Sequence, residues 1–287
     1  ASRGIGVING LDASFHPFMG FPGYKEVARL PLAQRAAALR DPARKARILA
    51  EKSERISGDG TPVPPLVDIL LARIELIAGR MFPLSSSDDV PPDYEPSVMS
   101  SFFVRAKQRG CTALEALYDH FAEGDGGNLV YFPIFNYNDG SLSAVADMLA
   151  HPRALMGLSD AGAHLTFFND AGFGLHLMGH WSRDLGVLDL AQAVHRLTGQ
   201  PAKLFGIEGR GLLREGNAAD LMLFDPATVA RGPKRRAHDL PAGAARLTAS
   251  AVGLHGVWIN GTRAADEKGF CADPKARPGE VLRRFAA

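Results

Sequence analysis

The sequence predicts an α/β protein whose final third turns wholly to β structure, and three observations predict it. From Ile5 to about Ile207, short apolar runs alternate with stretches of helical periodicity. One of those runs, residues 155–158, is almost entirely apolar and stops at Ser159-Asp160, as a strand buried on both faces would. Beyond Gly209 the texture becomes alternation and turns, ending in the Asn260-Gly261 hairpin signal. The expected division is therefore 1–207 and 208–287.

Taken in order, Ile5 to Leu11 reads as a short glycine-containing strand, followed by the aromatic loop Phe15-His16-Pro17-Phe18. The proline holds His16 in extended backbone. Pro31 to Lys52 reads as two helices, with Asp41-Pro42 supplying the second N-cap and its first helical residue. Leu66 to Leu76 is strongly apolar, and Pro83 to Pro96 reads as a surface excursion or lid. Ser97 to Gly110 is expected to be helical, and Thr112 with Glu115 suggests a capping box for the next helix. Leu129 to Phe135 is a strand that ends in Asn136-Tyr137-Asn138, and Ser141 opens a helix to Leu149. After the 155–158 run, Gly172 to Leu185 carries His176, His180, Trp181, Arg183 and Asp184. Leu190 to Leu197 is an amphipathic helix, and Pro201 begins another.

With 287 residues and 46% hydrophobic content, the chain can bury a sizeable core. A formal net charge of +1 gives no electrostatic case for nucleic acid or an anionic membrane. Lys234-Arg235-Arg236, in a polar Pro/Gly-flanked segment, reads as a solvated loop. Two distant cysteines, Cys111 and Cys271, exclude a disulfide scaffold and a thiolate zinc site, and fit a reducing cytoplasm. No apolar run approaches membrane-spanning length, and no signal-peptide pattern opens the chain.

Five fragments occur in one order: Ser159-Asp-Ala-Gly-Ala-His164, Gly179-His-Trp-Ser-Arg-Asp184, Ala193-Val-His-Arg-Leu-Thr-Gly199, Gly216-Asn-Ala-Ala-Asp-Leu221 and Val257-Trp-Ile-Asn-Gly261. Together they resemble the C-terminal half of the D-aminoacylase-like (N-acyl-D-amino-acid deacylase) branch of the amidohydrolase superfamily. Leu39-Arg-Asp-Pro42 and Asn136-Tyr-Asn-Asp-Gly-Ser141 extend the likeness over nearly the whole chain.

The resemblance implies the C-terminal part of a (β/α)8 TIM-type barrel, with one or two zinc ions at the C-terminal face, plus part of a small β-sandwich. It implies that Asp160 ligates metal and holds the attacking water. A divalent metal lowers the pKa of bound water to about 7 and polarises the scissile carbonyl. The carboxylate can pass the water's proton to the leaving amine. Such enzymes also carry a His-x-His pair on their first barrel strand, and this sequence has none. A catalytic zinc needs about three protein ligands. The chain is therefore expected to be a C-terminal portion, to hold no zinc alone, and to be inactive without its missing N-terminal half.

Residue by residue, alternatives remain. Asp160 is the candidate catalytic and metal residue, or the cap of a turn, and His164 contacts substrate or supports the metal site, or is a surface imidazole or a structural hydrogen-bond partner. His180 and Trp181 line a pocket mouth or pack against a helix. His176 and His180 stand at i and i+4 but lack a third ligand nearby, and Arg183 with Asp184 reads as a helix-end ion pair. Tyr137 and Asn138 approach substrate from a strand end, or form a turn.

The function expected is hydrolysis of a non-peptide C–N amide bond, of an N-acyl-(D-)amino acid or a related small amide. The competing function is a non-catalytic fragment or subunit that completes a barrel with a separate N-terminal chain. Either way, unpaired strand edges favour homo-oligomers when the chain stands alone. A serine hydrolase using Ser159 is disfavoured, because Gly157-Leu-Ser-Asp-Ala161 lacks the second glycine of a nucleophile elbow.

Overall fold

The computed structural model describes residues 4–13, 15–58, 63, 65–84, 90–157, 172–273, 275–283 and 285. In chain order these form β1 (Ile5–Asn9), α1 (Pro22–Lys25), α2 (Leu32–Leu39), α3 (Pro42–Ala50), α4 (Pro65–Leu71), α5 (Ile74–Ala78) and β2 (Phe82–Leu84). Then come α6 (Phe102–Arg109), α7 (Ala113–Ala122), β3 (Leu129–Phe135), α8 (Ser143–Ala150) and α9 (Phe173–His176), which runs on as a π-helix (Leu177–Asp184). Next are α10 (Leu190–Leu197), α11 (Gly199–Leu204) and β4 (Leu221–Phe224). The chain closes with β5 (Ala230–Ala237), β6 (Arg246–Val252), β7 (Leu254–Ile259), β8 (Thr262–Asp266) and β9 (Gly269–Phe270).

The protein is α/β, as its sequence predicts. Its first sheet has the order β1-β3-β2, with both pairs antiparallel, Ile8 opposite Tyr131 and Phe82 opposite Tyr131. A parallel barrel is not displayed by the described residues. The tail is β-rich as expected, with one sheet of order β4-β7-β8-β9 and a separate β5-β6 hairpin.

Because strand side chains alternate, β1 and β3 serve two cores. Val7, Val130 and Phe132 face the helical layer, where Leu117, Phe102 and Phe121 are almost completely buried. Ile8, Leu129 and Tyr131 face the other way, onto Tyr94 and Leu247. A third cluster joins Phe82, Tyr137, Val145, Leu177 and Trp181, and links the sheet to α8 and the π-helix. This last core positions the candidate site.

Local chemistry explains most element ends. Asp41 accepts from Arg44 N at 2.7 Å, and Thr112 accepts from Glu115 N at 3.1 Å. Glu115 does not return the bond, because its carboxylate pairs with Lys45 at 2.9 Å; the expected box is half made. At Gly110 the chain leaves α6 with φ 66°, a left-handed turn that glycine adopts without strain.

Four local readings need correction. Residues 154–157 lie in no strand, and Leu155 is 37% exposed, so the described part of the expected buried strand is not one. Pro201 is the third residue of α11 rather than its first, since Gly199 opens the helix. Ser141 accepts from Ser143 N at 3.0 Å, while Leu142 occupies the N-cap of α8. Lys234-Arg235-Arg236 is not a solvated loop: all three lie in β5, and Lys234 is only 4% exposed. Pairing with β6 supplies the burial that composition cannot reveal.

Candidate functional site

The π-helix begins the site. It widens where β5 comes closest: a Cβ on Gly179 would lie 2.5 Å from the Val229 carbonyl oxygen, so only glycine permits the approach. Arg183 locks the same carbonyl, donating to it at 2.7 Å, and also pairs with Asp184 at 2.8 Å as expected. Helical segments of this kind turn consecutive side chains off the usual spacing and recur at functional sites.

His176 and His180 therefore stack face to face, with ring centroids 4.7 Å apart and planes 15° from parallel. His180 packs on the buried Trp181 at 5.1 Å, and its Nε2–H donates to Glu95 Oε2 at 2.9 Å. His176 meets the Tyr94 ring edge-on at 5.9 Å. Tyr94 in turn packs on Tyr131 at 5.5 Å, accepts a hydrogen bond from the Arg231 guanidinium, and carries that cation over its ring at 5.4 Å. Four elements thus converge: the 90–97 segment, the π-helix, β3 and β5. Arg231 and Lys234 are the buried cations among the described residues. Ionisable groups out of water concentrate where function needs them.

Asp160 and His164, the expected catalytic carboxylate and its neighbour, lie outside the described residues. Tyr137 is buried, and its hydroxyl donates to the Pro96 carbonyl at 2.6 Å. Burial, then the nearby Asp93 and Glu95 carboxylates, push that phenol up to about 12. The hydroxyl is therefore a neutral tie between β3 and the 90–97 segment. Asn138 accepts from Arg80 at 2.8 Å, at the rim of a cavity of about 410 Å³ that Tyr137 also lines. His180 is joined to neither of them; its partner is Glu95. The expected substrate residues thus fall in two places, His180 in the stacked cluster and Tyr137–Asn138 beside the smaller cavity.

The described residues do not fit a zinc ion. No three His, Cys, Asp or Glu side chains group to hold a metal among them. The i, i+4 histidine pair is stacked, so its nitrogens lie in near-parallel planes and do not converge on one point. Its third neighbour, Glu95, accepts a hydrogen bond from His180 Nε2 at 2.9 Å, which occupies the nitrogen a metal would need.

Sequence reasoning missed Tyr94, Glu95 and Arg231. Tyr94 and Glu95 stand in the stretch read as a surface excursion, 85 positions from His180. Arg231 stands 137 positions from Tyr94. No local spacing signals either contact. The available hint was compositional: a tyrosine and a glutamate between prolines, in a segment long enough to fold back.

Comparison with known proteins places the chain in a class. The model of the amidohydrolase family matches residues 115–265, and the chain belongs to that family. Among individual proteins, it is 40% identical over 111 residues to a D-aminoacylase from Alcaligenes xylosoxydans xylosoxydans, covering 39% of this chain and 20% of the relative. It is 40% identical over 100 residues to an N-acyl-D-aspartate deacylase of the same organism, covering 35% and 18%. The chain thus spans about a fifth of the length of the curated relatives it matches. A crystal structure of D-aminoacylase aligns at 26% identity over 73% of this chain and 39% of its own, with a TM-score of 0.42, too low to define a shared architecture.

Proposed function

We propose that this chain is the C-terminal portion of a metal-dependent amidohydrolase that hydrolyses the non-peptide C–N bond of an N-acyl-(D-)amino acid or related amide. The observation that carries the reading is the family match over 115–265, a span that contains both Asp160 and the stacked His176–His180 pair. The 40% identity to a D-aminoacylase and an N-acyl-D-aspartate deacylase supports the substrate class.

In this reading residues 1–207 are part of a (β/α)8 barrel with an inserted helical and loop region, and 208–287 are part of a β-sandwich. Asp160 takes a proton from the attacking water and returns it to the leaving amine. His164 supports it, and His180, Tyr137 and Asn138 border the substrate. Zinc, one ion or two, takes its imidazole donors from outside this chain, which alone is inactive. Among the described residues no helix is long and apolar enough to cross a membrane, and the two free cysteines suit the reducing cytoplasm.

The test uses the longer polypeptide that carries this sequence. It should release free amino acid from N-acyl-D-amino acids and contain about one or two zinc ions, while this chain alone does neither. Asp160→Asn should lower kcat by about 10³ or more with KM little changed. Hydrolysis by the isolated chain, or wild-type kcat in Asp160→Asn, would reject the reading. A second reading, a subunit completed by a separate N-terminal chain, is favoured by the apolar outer strand β4, whose Leu223 is 55% exposed. Activity restored by mixing two separately made chains would select it.

A further inference from the structure

We propose that the cleft between the α2–α3 corner and the α6–α7 pair is a binding site for a small oxyanion, a carboxylate or phosphate head group, gripped by Arg40 and Arg105. The cleft encloses about 900 Å³ and lies on the helical layer, apart from the histidine cluster. Four cations line it (Arg40, Lys45, Arg105 and Arg109), against two carboxylates, Asp119 and Glu123.

The pairing inside the cleft is uneven. Asp119 is spent twice, on Lys45 at 2.7 Å and on Arg109, and Lys45 also takes Glu115 at 2.9 Å. Those four groups balance one another. Arg40 and Arg105 have no carboxylate partner among the described residues; their bonds go to main-chain carbonyls. Arg40 Nη1 donates to Ala122 O at 2.8 Å and Gly124 O at 2.7 Å. Arg105 Nε donates to Ser100 O at 3.2 Å, and its guanidinium sits over the Phe102 ring at 5.9 Å.

These contacts occupy one nitrogen of each guanidinium and hold its plane. The remaining N–H groups can meet an oxyanion with little further ordering cost. Glu123 is one carboxylate against these two guanidiniums, so the cleft keeps a positive excess that an anion would relieve. A guanidinium fork fits carboxylate and phosphate alike, by paired N–H···O bonds.

Equilibrium dialysis of this chain against inorganic phosphate or acetate, with chloride holding ionic strength constant, tests the site and tells the two head groups apart. Saturable uptake of at least one anion is expected, at about one per chain. Arg105→Met should weaken it about tenfold, as losing a charge-assisted bond does, and Arg105→Lys less. Arg40→Met should do the same; since Arg40 also holds the end of α7, its variant is compared at matched folded fraction by near-ultraviolet circular dichroism. Arg214→Met, away from the cleft, should change nothing. No uptake above chloride, or equal uptake by Arg105→Met and wild type, would overturn the proposal.

Discussion

The apolar face of α7 and the apolar strand β4 meet opposite fates in the same chain. Along α7, Leu114, Ala116, Leu117, Tyr118, Phe121 and Ala122 are all buried. Along β4, Leu221, Met222 and Leu223 are 39%, 42% and 55% exposed, although every residue of the strand is apolar. Among the described residues the strand lies at the outside of its sheet, bonded to β7 alone. Beside it Leu213 is 84% exposed, and a groove of about 750 Å³ opens between α10 and the strand. Hydrophobicity alone thus does not assign burial. α7 finds α2, α5 and α6 within this chain, whereas β4 presents an apolar edge of the kind that invites pairing.

The contrast can be broken by substitution. Leu117→Ala should cost about 3 kcal/mol of stability, the usual result of emptying a packed site, read as a lowered denaturation midpoint. Leu223→Lys should cost under about 0.5 kcal/mol while reducing oligomers in light scattering, since a charge on an edge strand discourages pairing. Equal destabilisation by both would show that β4 is core after all.

Acid should attack the helical region first. Burial, reinforced by the Arg35 charge, lowers His16 to about 3 from its ordinary 6.5. Its Nδ1 accepts from Phe18 N at 3.2 Å, so the ring is held neutral. The unfolded chain then binds a proton below pH 6.5 that the folded chain refuses until about pH 3. Stability should therefore fall as pH drops through that window, by on the order of 4 kcal/mol at its lower end. Denaturation midpoints of wild type and His16→Phe between pH 4 and 7 check this; parallel curves would refute the assignment.

Smaller effects sharpen the picture at the site. Tyr137→Phe removes the bond to Pro96 and leaves that buried carbonyl unanswered, at a cost of about 1–2 kcal/mol in thermal unfolding. Glu95→Gln should cost under about 1 kcal/mol and lose its effect in high salt, because both members of the Glu95–His180 pair are about one-third exposed.

Much of the fold was legible because its signals are local. The strand at Leu129–Phe135 follows from a run of β-formers. The helices after Asp41 and Thr112 follow from caps that act within three residues. The hairpin at Asn260-Gly261 follows from positive φ values of 46° and 80°, which those residues tolerate. The candidate site was legible only in part. His176 and His180 could be named as a pair, but the close approach of Gly179 to Val229 and Ala230, at the start of β5, joins residues about fifty positions apart. Burial of Lys234 inside a basic run was invisible for the same reason.

By itself, then, the sequence determined where several elements lie, β1, β3, α3 and α7 among them, and the family to which they belong. Those properties reside in residue types a few positions apart. Only the tertiary structure decided that β1 and β3 run antiparallel, that Tyr94 and Glu95 fold back onto the histidines, and that α7 is covered while β4 is not. Each of these joins residues tens of positions apart, and burial depends on what packs against a residue as much as on the residue itself.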